Sequence, residues 1–263
     1  MNLQLAGKDA FAYTAAHALD PAKRTVVFVH GAGLDHSWWG LQSRYFGYHG
    51  FNVLAVDLPA HGRSDGPALG SIAEMTDWVK KLLDEKGVKS AALVGHSMGS
   101  LIALEFAARY PERAERIALI GTAYPMKVGE AFLDAAKRND QSAYDMETIW
   151  GHAAQVPFSA NPNPGMWMYG DTLARLARLA PGVLHTDLSA CNTYAGGMEA
   201  AAKVKCPVLF VLGARDVMTP PRAAQELAKA LPNAKMVTAS LSGHSLMAEA
   251  PDATLDALIG FLN

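Results

Sequence analysis

A serine flanked by glycines, in Val94-Gly95-His96-Ser97-Met98-Gly99-Ser100, is the stretch of this chain best suited to covalent chemistry. An apolar run, Ala91 to Val94, stops at Gly95, and a helical run, Leu101 to Arg109, begins just past Ser97. A strand-to-helix turn with a strained residue at its apex requires this G-x-S-x-G spacing, because a Cβ at either glycine would crowd the turn. The same turn puts Ser97 at a helix N-terminus, where backbone N–H groups favour a developing negative charge. The chemistry this permits is nucleophilic attack by a hydroxyl. It needs a base, an acid that orients the base, and donors for the oxyanion.

Candidates for all three occur at the ends of apolar runs. Thr25-Val26-Val27-Phe28-Val29 reads as a strand buried on both faces, and it ends in the flexible His30-Gly31-Ala32-Gly33. The amide of Ala32 (or Gly33) together with that of Met98 would form an oxyanion hole, although a glycine pair after a strand also serves as a plain turn. Pro207 to Leu212 is a second such strand, followed by Gly213-Ala214-Arg215-Asp216, and catalytic groups in open parallel sheets gather at that edge. Thr219-Pro220 reads as a helix N-cap with proline at the first helical position, which leaves Asp216 for another task. Of nine histidines, His244 stands apart. It lies in Ser242-Gly243-His244-Ser245, after the strand-like Lys235 to Thr238 and before a final amphipathic helix carrying Leu255, Leu258, Ile259 and Leu262. His30 belongs to the oxyanion loop, His61 to a turn, and His96 fills the elbow.

Ser97, Asp216 and His244 follow the order nucleophile, acid, base, and in this the chain resembles the α/β-hydrolase superfamily. Asp57-Leu58-Pro59-Ala60-His61-Gly62-Arg63-Ser64-Asp65 is similar to a D-x-P-G-x-G-x-S pattern of that family, with Ala60 in place of a frequent glycine. The His244–Glu249–Pro251 spacing is also similar. The resemblance runs from about Thr25 to the C-terminus and is weakest in the middle. It implies an α/β fold, a mostly parallel central sheet flanked by helices, with a helical cap inserted before the penultimate strand. It does not fix the substrate, because this fold hosts many reactions. Dehalogenases and epoxide hydrolases of the fold use an aspartate nucleophile, so Ser97 argues against both. The leading expectation is a carboxylesterase acting through an acyl-enzyme on small to medium apolar esters. Carbon–carbon bond hydrolases of ring-cleavage products, and small-molecule receptors with a slow triad, are the alternatives.

These residues must be held by a scaffold, and the sequence outlines it. Asn2 to Ala16 reads as a hairpin turning at Gly7-Lys8, after which strands and helices alternate as in a parallel sheet with crossovers. Ile72 to Lys86 is a marked helix, with a Ser71–Glu74 capping box and Gly87 closing it. About 85 residues separate the strand ending near Gly121 from the one starting at Pro207, where a crossover needs only a dozen or two. The excess reads as a cap over residues 124–203, with 1–123 and 204–263 as the core. Pro157 to Gly165 cannot be helical and delivers Met166-Trp167-Met168 as an apolar cluster. Phe158, Met166 and Trp167, with Gly31 and His96 beside the serine, are candidate substrate-pocket residues, though cap aromatics serve equally as core. Arg175 and Arg178 fall on one face of a helix expected over Thr172 to Ala180 and read as solvated. Trp38 and Trp39 read as packing beneath the oxyanion loop, and Asp57 and Arg63 as holding their own turn.

Composition narrows the class further. The chain has 263 residues, enough for one domain with an insertion, and its 23 basic residues nearly balance 25 acidic ones. No basic run suggests a nucleic acid partner, and no stretch approaches the roughly 20 apolar residues of a membrane span. Cys191 and Cys206 suggest neither a disulfide framework nor a metal site. The expectations are a cytoplasmic enzyme, a small-molecule ester as partner, no membrane or nucleic acid partner, and no metal or organic cofactor. Oligomeric state is not readable.

Overall fold

The computed structural model describes residues 1–153, 165–231 and 233–263. A hairpin opens the chain, β1 (Asn2–Leu5) and β2 (Lys8–Tyr13), turned at Ala6-Gly7. Strands and helices then alternate through β3 (Thr25–Val29), α1 (Gly40–Tyr48), β4 (Asn52–Asp57), α2 (Ile72–Glu85), β5 (Ala91–His96), α3 (Met98–Arg109) and β6 (Ala114–Ile120). Helices α4 (Glu130–Lys137), α5 (Gln141–Trp150), α6 (Met168–Leu176) and α7 (Val183–Thr193) follow with no strand described between them. The chain then completes α8 (Gly197–Ala201), β7 (Val208–Gly213), α9 (Gln225–Lys229), β8 (Ala234–Ala239), α10 (Leu246–Glu249) and α11 (Pro251–Leu262).

The strands form one eight-stranded sheet in the order β1-β2-β4-β3-β5-β6-β7-β8. Only the β1–β2 and β2–β4 pairs are antiparallel. The remaining pairs, from β4–β3 out to β7–β8, are parallel. The central strands are near-continuous apolar runs because both faces are covered. Alternate residues of β3 show this: Val27 and Val29 join the core under α2 and α3, while Val26 and Phe28 join the core with Trp39, Phe46 and Leu258. Strand order reverses between β3 and β5, and the loops at their C-terminal ends flank a crevice, the usual ligand position in such sheets.

Helix α2 starts as its sequence implies. Ser71 Oγ accepts from the Glu74 amide at 3.2 Å, while Glu74 Oε2 reaches back to the Gly70 amide at 2.9 Å. The excursion after β6 is helical, but α8 packs against α3. No described helix is long and apolar enough to cross a membrane.

Candidate active site

Ser97 occupies the tip of the β5–α3 turn with φ 51° and ψ −118°, a conformation costing roughly 1–3 kcal/mol for a residue with a side chain. The surrounding backbone enforces it. The Ser97 amide donates to the Ile120 carbonyl at 2.9 Å, and the Ser97 carbonyl accepts from the Ser100 amide at 2.8 Å. A Cβ at Gly95 would lie 2.0 Å from the Gly99 carbonyl oxygen, and one at Gly99 would lie 2.3 Å from that of Val29. The two glycines flanking the serine are thus demanded by close backbone approach.

The loops after β7 and β8 bring Asp216 and His244 together. His244 Nδ1 lies 2.8 Å from Asp216 Oδ2 and 3.0 Å from Thr219 Oγ1, so its N–H is shared between them. Asp216 is further held by the Met218 and Thr219 amides at 2.8 and 2.7 Å and by the Thr219 hydroxyl at 2.7 Å. Thr219 is therefore not an N-cap. The short 3-10 turn at Pro221–Ala224 has no side-chain cap, and the Thr219 hydroxyl is spent on the carboxylate instead. Burial pushes the Asp216 carboxyl up, but the His244 imidazolium and these donors outweigh it and hold it down at about 2. Burial lowers His244, and the Asp216 charge more than reverses this, leaving the imidazole above the ordinary histidine value.

His96 was a candidate pocket residue, but it points away from the cavity. Its Nε2–H donates to the His244 carbonyl at 2.9 Å, and its ring lies 4.7 Å from the His244 ring. Burial and the neighbouring imidazole hold His96 far below its ordinary value, so it stays neutral and fixes the His244 backbone. Glu249 secures the other side of that loop, accepting from the Gly243 amide at 2.9 Å and the Ala153 amide at 2.7 Å. Its role had no sequence signal beyond the spacing to His244.

The loop after β3 leaves the two candidate amides, those of Ala32 and Gly33, in different surroundings. The Gly33 amide is taken by Asp187 Oδ2 at 2.9 Å, whereas the Ala32 and Met98 amides donate to no described residue. Gly31 lies against the serine, where a Cβ would sit 2.9 Å from His96 Nδ1 and 3.3 Å from Ser97 Cβ. Asp187, on α7, also accepts from His61 Nε2 at 2.8 Å, while His61 Nδ1 faces the Pro59 carbonyl at 3.0 Å. Both ring nitrogens of His61 meet acceptors, so the cation is satisfied. Burial lowers its pKa, yet the Asp187 charge and hydrogen bond leave it raised. The adjacent His30 behaves oppositely. Burial first, and the His61 charge second, push it down to about 4, and its Nε2 accepts from the Leu58 amide at 3.1 Å.

Ser97 and His244 open on a cavity of about 190 Å³ that also exposes Ala32. Its walls come from the β6–α4 connection, from α4, α5 and α7 and from the loop after β7, with Met126, Val128, Phe132, Trp150, Leu188 and Met218 among them. Met166 and Trp167 do not line it, contrary to the sequence expectation. Trp167 is 74% exposed, and its ring folds over Gly170 on its own helix. Phe158 lies outside the described residues. The expected apolar cluster fails because composition does not show which way side chains at a helix start turn.

Arg175 is likewise not solvated. The helix begins earlier than expected, at Met168, and turns Arg175 onto Asp171, Asp35 and the Trp38 ring with its side chain 12% exposed. Arg178 is exposed. Trp38 and Trp39 are buried, as packing residues. Asp57 accepts from the Arg63 amide at 2.9 Å and from His36, and so holds its turn. Asp35, His36 and Asp57 are the one grouping among the described residues with metal-ligand donors within 4.8 Å. Their oxygens are engaged by Ser37, Arg175, His36 and Arg63, so the group serves as a structural knot.

Glu147 was not anticipated. It lies on α5 within the cavity wall, 8% exposed, and its Oε2 has no hydrogen-bond partner. Burial pushes its carboxyl up to about 7 against the pull of His244. A lone glutamate in the stretch expected as cap carries no signal in sequence that it faces a site.

Known proteins are similar to this chain in sequence or in fold. The chain is 26% identical over 197 residues to (E)-2-((N-methylformamido)methylene)succinate hydrolase of Acinetobacter baylyi, covering 73% of this chain and 72% of that one. It is 29% identical over 242 residues to a pimeloyl-[acyl-carrier protein] methyl ester esterase of Aromatoleum aromaticum, covering 86% and 93%. The solved enol-lactonase from Burkholderia xenovorans LB400 has the same fold, with a TM-score of 0.88 at 23% identity over 100% of this chain and 99% of that one. Residues 26–257 match the model of the alpha/beta hydrolase family, and the chain belongs to that family of hydrolases.

Proposed function

We propose that this protein is a serine hydrolase of small carboxylic esters, with Ser97 as nucleophile, His244 as base and Asp216 as the acid that orients it. The observation that carries the reading is the shared cavity: Ser97, His244 and Ala32 face one small, mostly apolar space. Its volume falls below the roughly 300–1,000 Å³ of ordinary ligand pockets, which suits a short acyl or alkyl group.

In this reading Ser97 Oγ attacks the ester carbonyl carbon while His244 Nε2 takes the hydroxyl proton. The Asp216 carboxylate, already fully ionised near neutrality, keeps the proton on His244 Nδ1 and stabilises the imidazolium. The Ala32 and Met98 amides receive the oxyanion, each donor contributing about 3 kcal/mol. Collapse expels the alcohol with a proton from His244. A water molecule then repeats the sequence to release the acid.

Ester and lactone names among the relatives agree with this chemistry. Carbon–carbon cleavage of a dienoate has less support, because that substrate needs a cation near the serine. Arg175 is committed to Asp35 and Asp171, and the Lys127 ammonium donates to the Asn192 carbonyl at 3.0 Å. A panel of chromogenic esters of graded acyl length, run beside a ring-cleavage dienoate, tests the choice. Ester turnover exceeding dienoate turnover is expected, and the reverse order overturns the reading.

The pH profile follows from His244. Only the neutral imidazole accepts the Ser97 proton, and the Asp216 charge raises its pKa, so kcat/KM should rise with pH through a limb lying above the ordinary histidine value. A profile flat from pH 5 to 9 would exclude His244 as base.

Pocket shape gives a further expectation. Trp150 is part of the cavity wall and stacks edge-on against Phe132 at 5.8 Å, so Trp150→Ala should move acyl preference toward longer chains by several-fold. Trp167→Ala, on the exposed surface, should leave the acyl-length profile unchanged.

A further inference from the structure

Glu147 presents a problem that the hydrolytic reading does not resolve. A carboxyl buried in an apolar wall without a hydrogen-bond partner destabilises the fold, since the lost hydration is replaced by nothing. Among the described residues its Oε2 is buried and has no partner, and Glu147 lines the same cavity as Ser97 and His244. The charged groups nearby do not supply one. His244 is paired with Asp216, Asp187 with His61, and Lys127 turns its ammonium to the Asn192 carbonyl. Cys191, also in the wall, has a thiol that burial holds far above its ordinary pKa, so it neither ionises nor donates strongly.

We propose that Glu147 is a specificity-determining residue that binds a protonated amine on the substrate, so that the cavity takes short esters carrying an ammonium group. This rests on the ester reading for its turnover, though not for its binding. An ammonium group compensates a buried carboxylate by charge and hydrogen bond together, whereas a hydroxyl supplies only the hydrogen bond and a methyl nothing. A substrate carboxylate would meet like charge. Burial pushes the Glu147 carboxyl up to about 7 in the empty cavity, and an ammonium partner draws it to the ionised form. The small cavity limits the arm between scissile carbonyl and amine to a few carbons.

Four methyl esters that differ only at the end of a two-carbon arm test this: methyl 3-aminopropanoate, methyl 3-hydroxypropanoate, methyl butanoate and monomethyl succinate. The expected order of kcat/KM at pH 7 is ammonium, hydroxyl, methyl, carboxylate, with ammonium at least about tenfold above methyl. In Glu147→Gln that preference should collapse by about tenfold or more, and the succinate monoester should gain relative to the others. Binding to Ser97→Ala protein, followed calorimetrically, separates this idea from the esterase reading. Methyl 3-aminopropanoate should bind about tenfold more tightly than methyl butanoate, and the difference should vanish when Glu147→Gln is added. Absence of all ester turnover with this binding preference intact would overturn the esterase reading alone. Equal or no binding of the two esters, or an equal loss on all four esters in Glu147→Gln, would overturn the amine site.

Discussion

Ester hydrolysis in Ser97→Ala should fall by about a millionfold in kcat, because removing the nucleophile of a serine triad leaves only oxyanion stabilisation and binding. The fold should survive, since the strain at the elbow comes from backbone hydrogen bonds to Ile120 and Ser100 that alanine also makes. Alanine cannot relieve that strain, and circular dichroism and the thermal midpoint should therefore match the parent. A serine-directed organophosphonate should label the parent once per chain at Ser97 and leave the variant unlabelled. Labelling elsewhere, with activity retained in Ser97→Ala, would move the nucleophile to another residue.

Asp216→Asn carries the second-largest expected effect, about a 10,000-fold loss in kcat with little change in KM. The reason is specific to its partners. The Met218 and Thr219 amides fix one carboxylate oxygen, and the other lies against both the Thr219 hydroxyl and His244 Nδ1. With the amide nitrogen of asparagine in that second position, a donor would face His244 Nδ1 and select the wrong tautomer for accepting the Ser97 proton. The stabilised imidazolium would be lost as well, so the rising limb of the pH profile should shift to lower pH. A variant nearly as active as the parent would assign the third role to another carboxylate, for which Glu147 is the nearest alternative by its electrostatic influence on His244.

Much of this arrangement is legible in the sequence because it rests on local rules. The elbow is written in Gly95 and Gly99, whose absent side chains admit the crossing backbones of α3 and β3. The strands under Asp216 and His244 are apolar or β-branched runs ended by small residues, and their parallel order follows from alternation with helices. What is not legible depends on partners far away in the chain. Gly33 loses its amide to Asp187, more than a hundred positions later, and no local pattern announces this. Thr219 looks like a helix cap because Thr-Pro is a capping pair, yet the carboxylate of Asp216 competes for its hydroxyl. Trp167 and Glu147 fail in opposite senses. An aromatic expected to line the cavity turns outward, and a charge that the sequence did not single out turns in, because helix phase is set by packing that periodicity in a short helix does not fix.

The ion pair between Asp187 and His61 bears on how molecules reach the serine. It fastens α7 to the core, as Arg175 with Asp35 fastens α6 and Glu249 with the Ala153 amide fastens the end of α5. Swinging these helices off the sheet would strip the Gly33 amide of its acceptor and loosen the loop that lies against Ser97. Val217, which borders the cavity, is 66% exposed, so the cavity wall meets solvent at the loop after β7 with these helices in place. The roof is thus tied to the same groups that hold the loop beside Ser97, and loosening either one loosens the other.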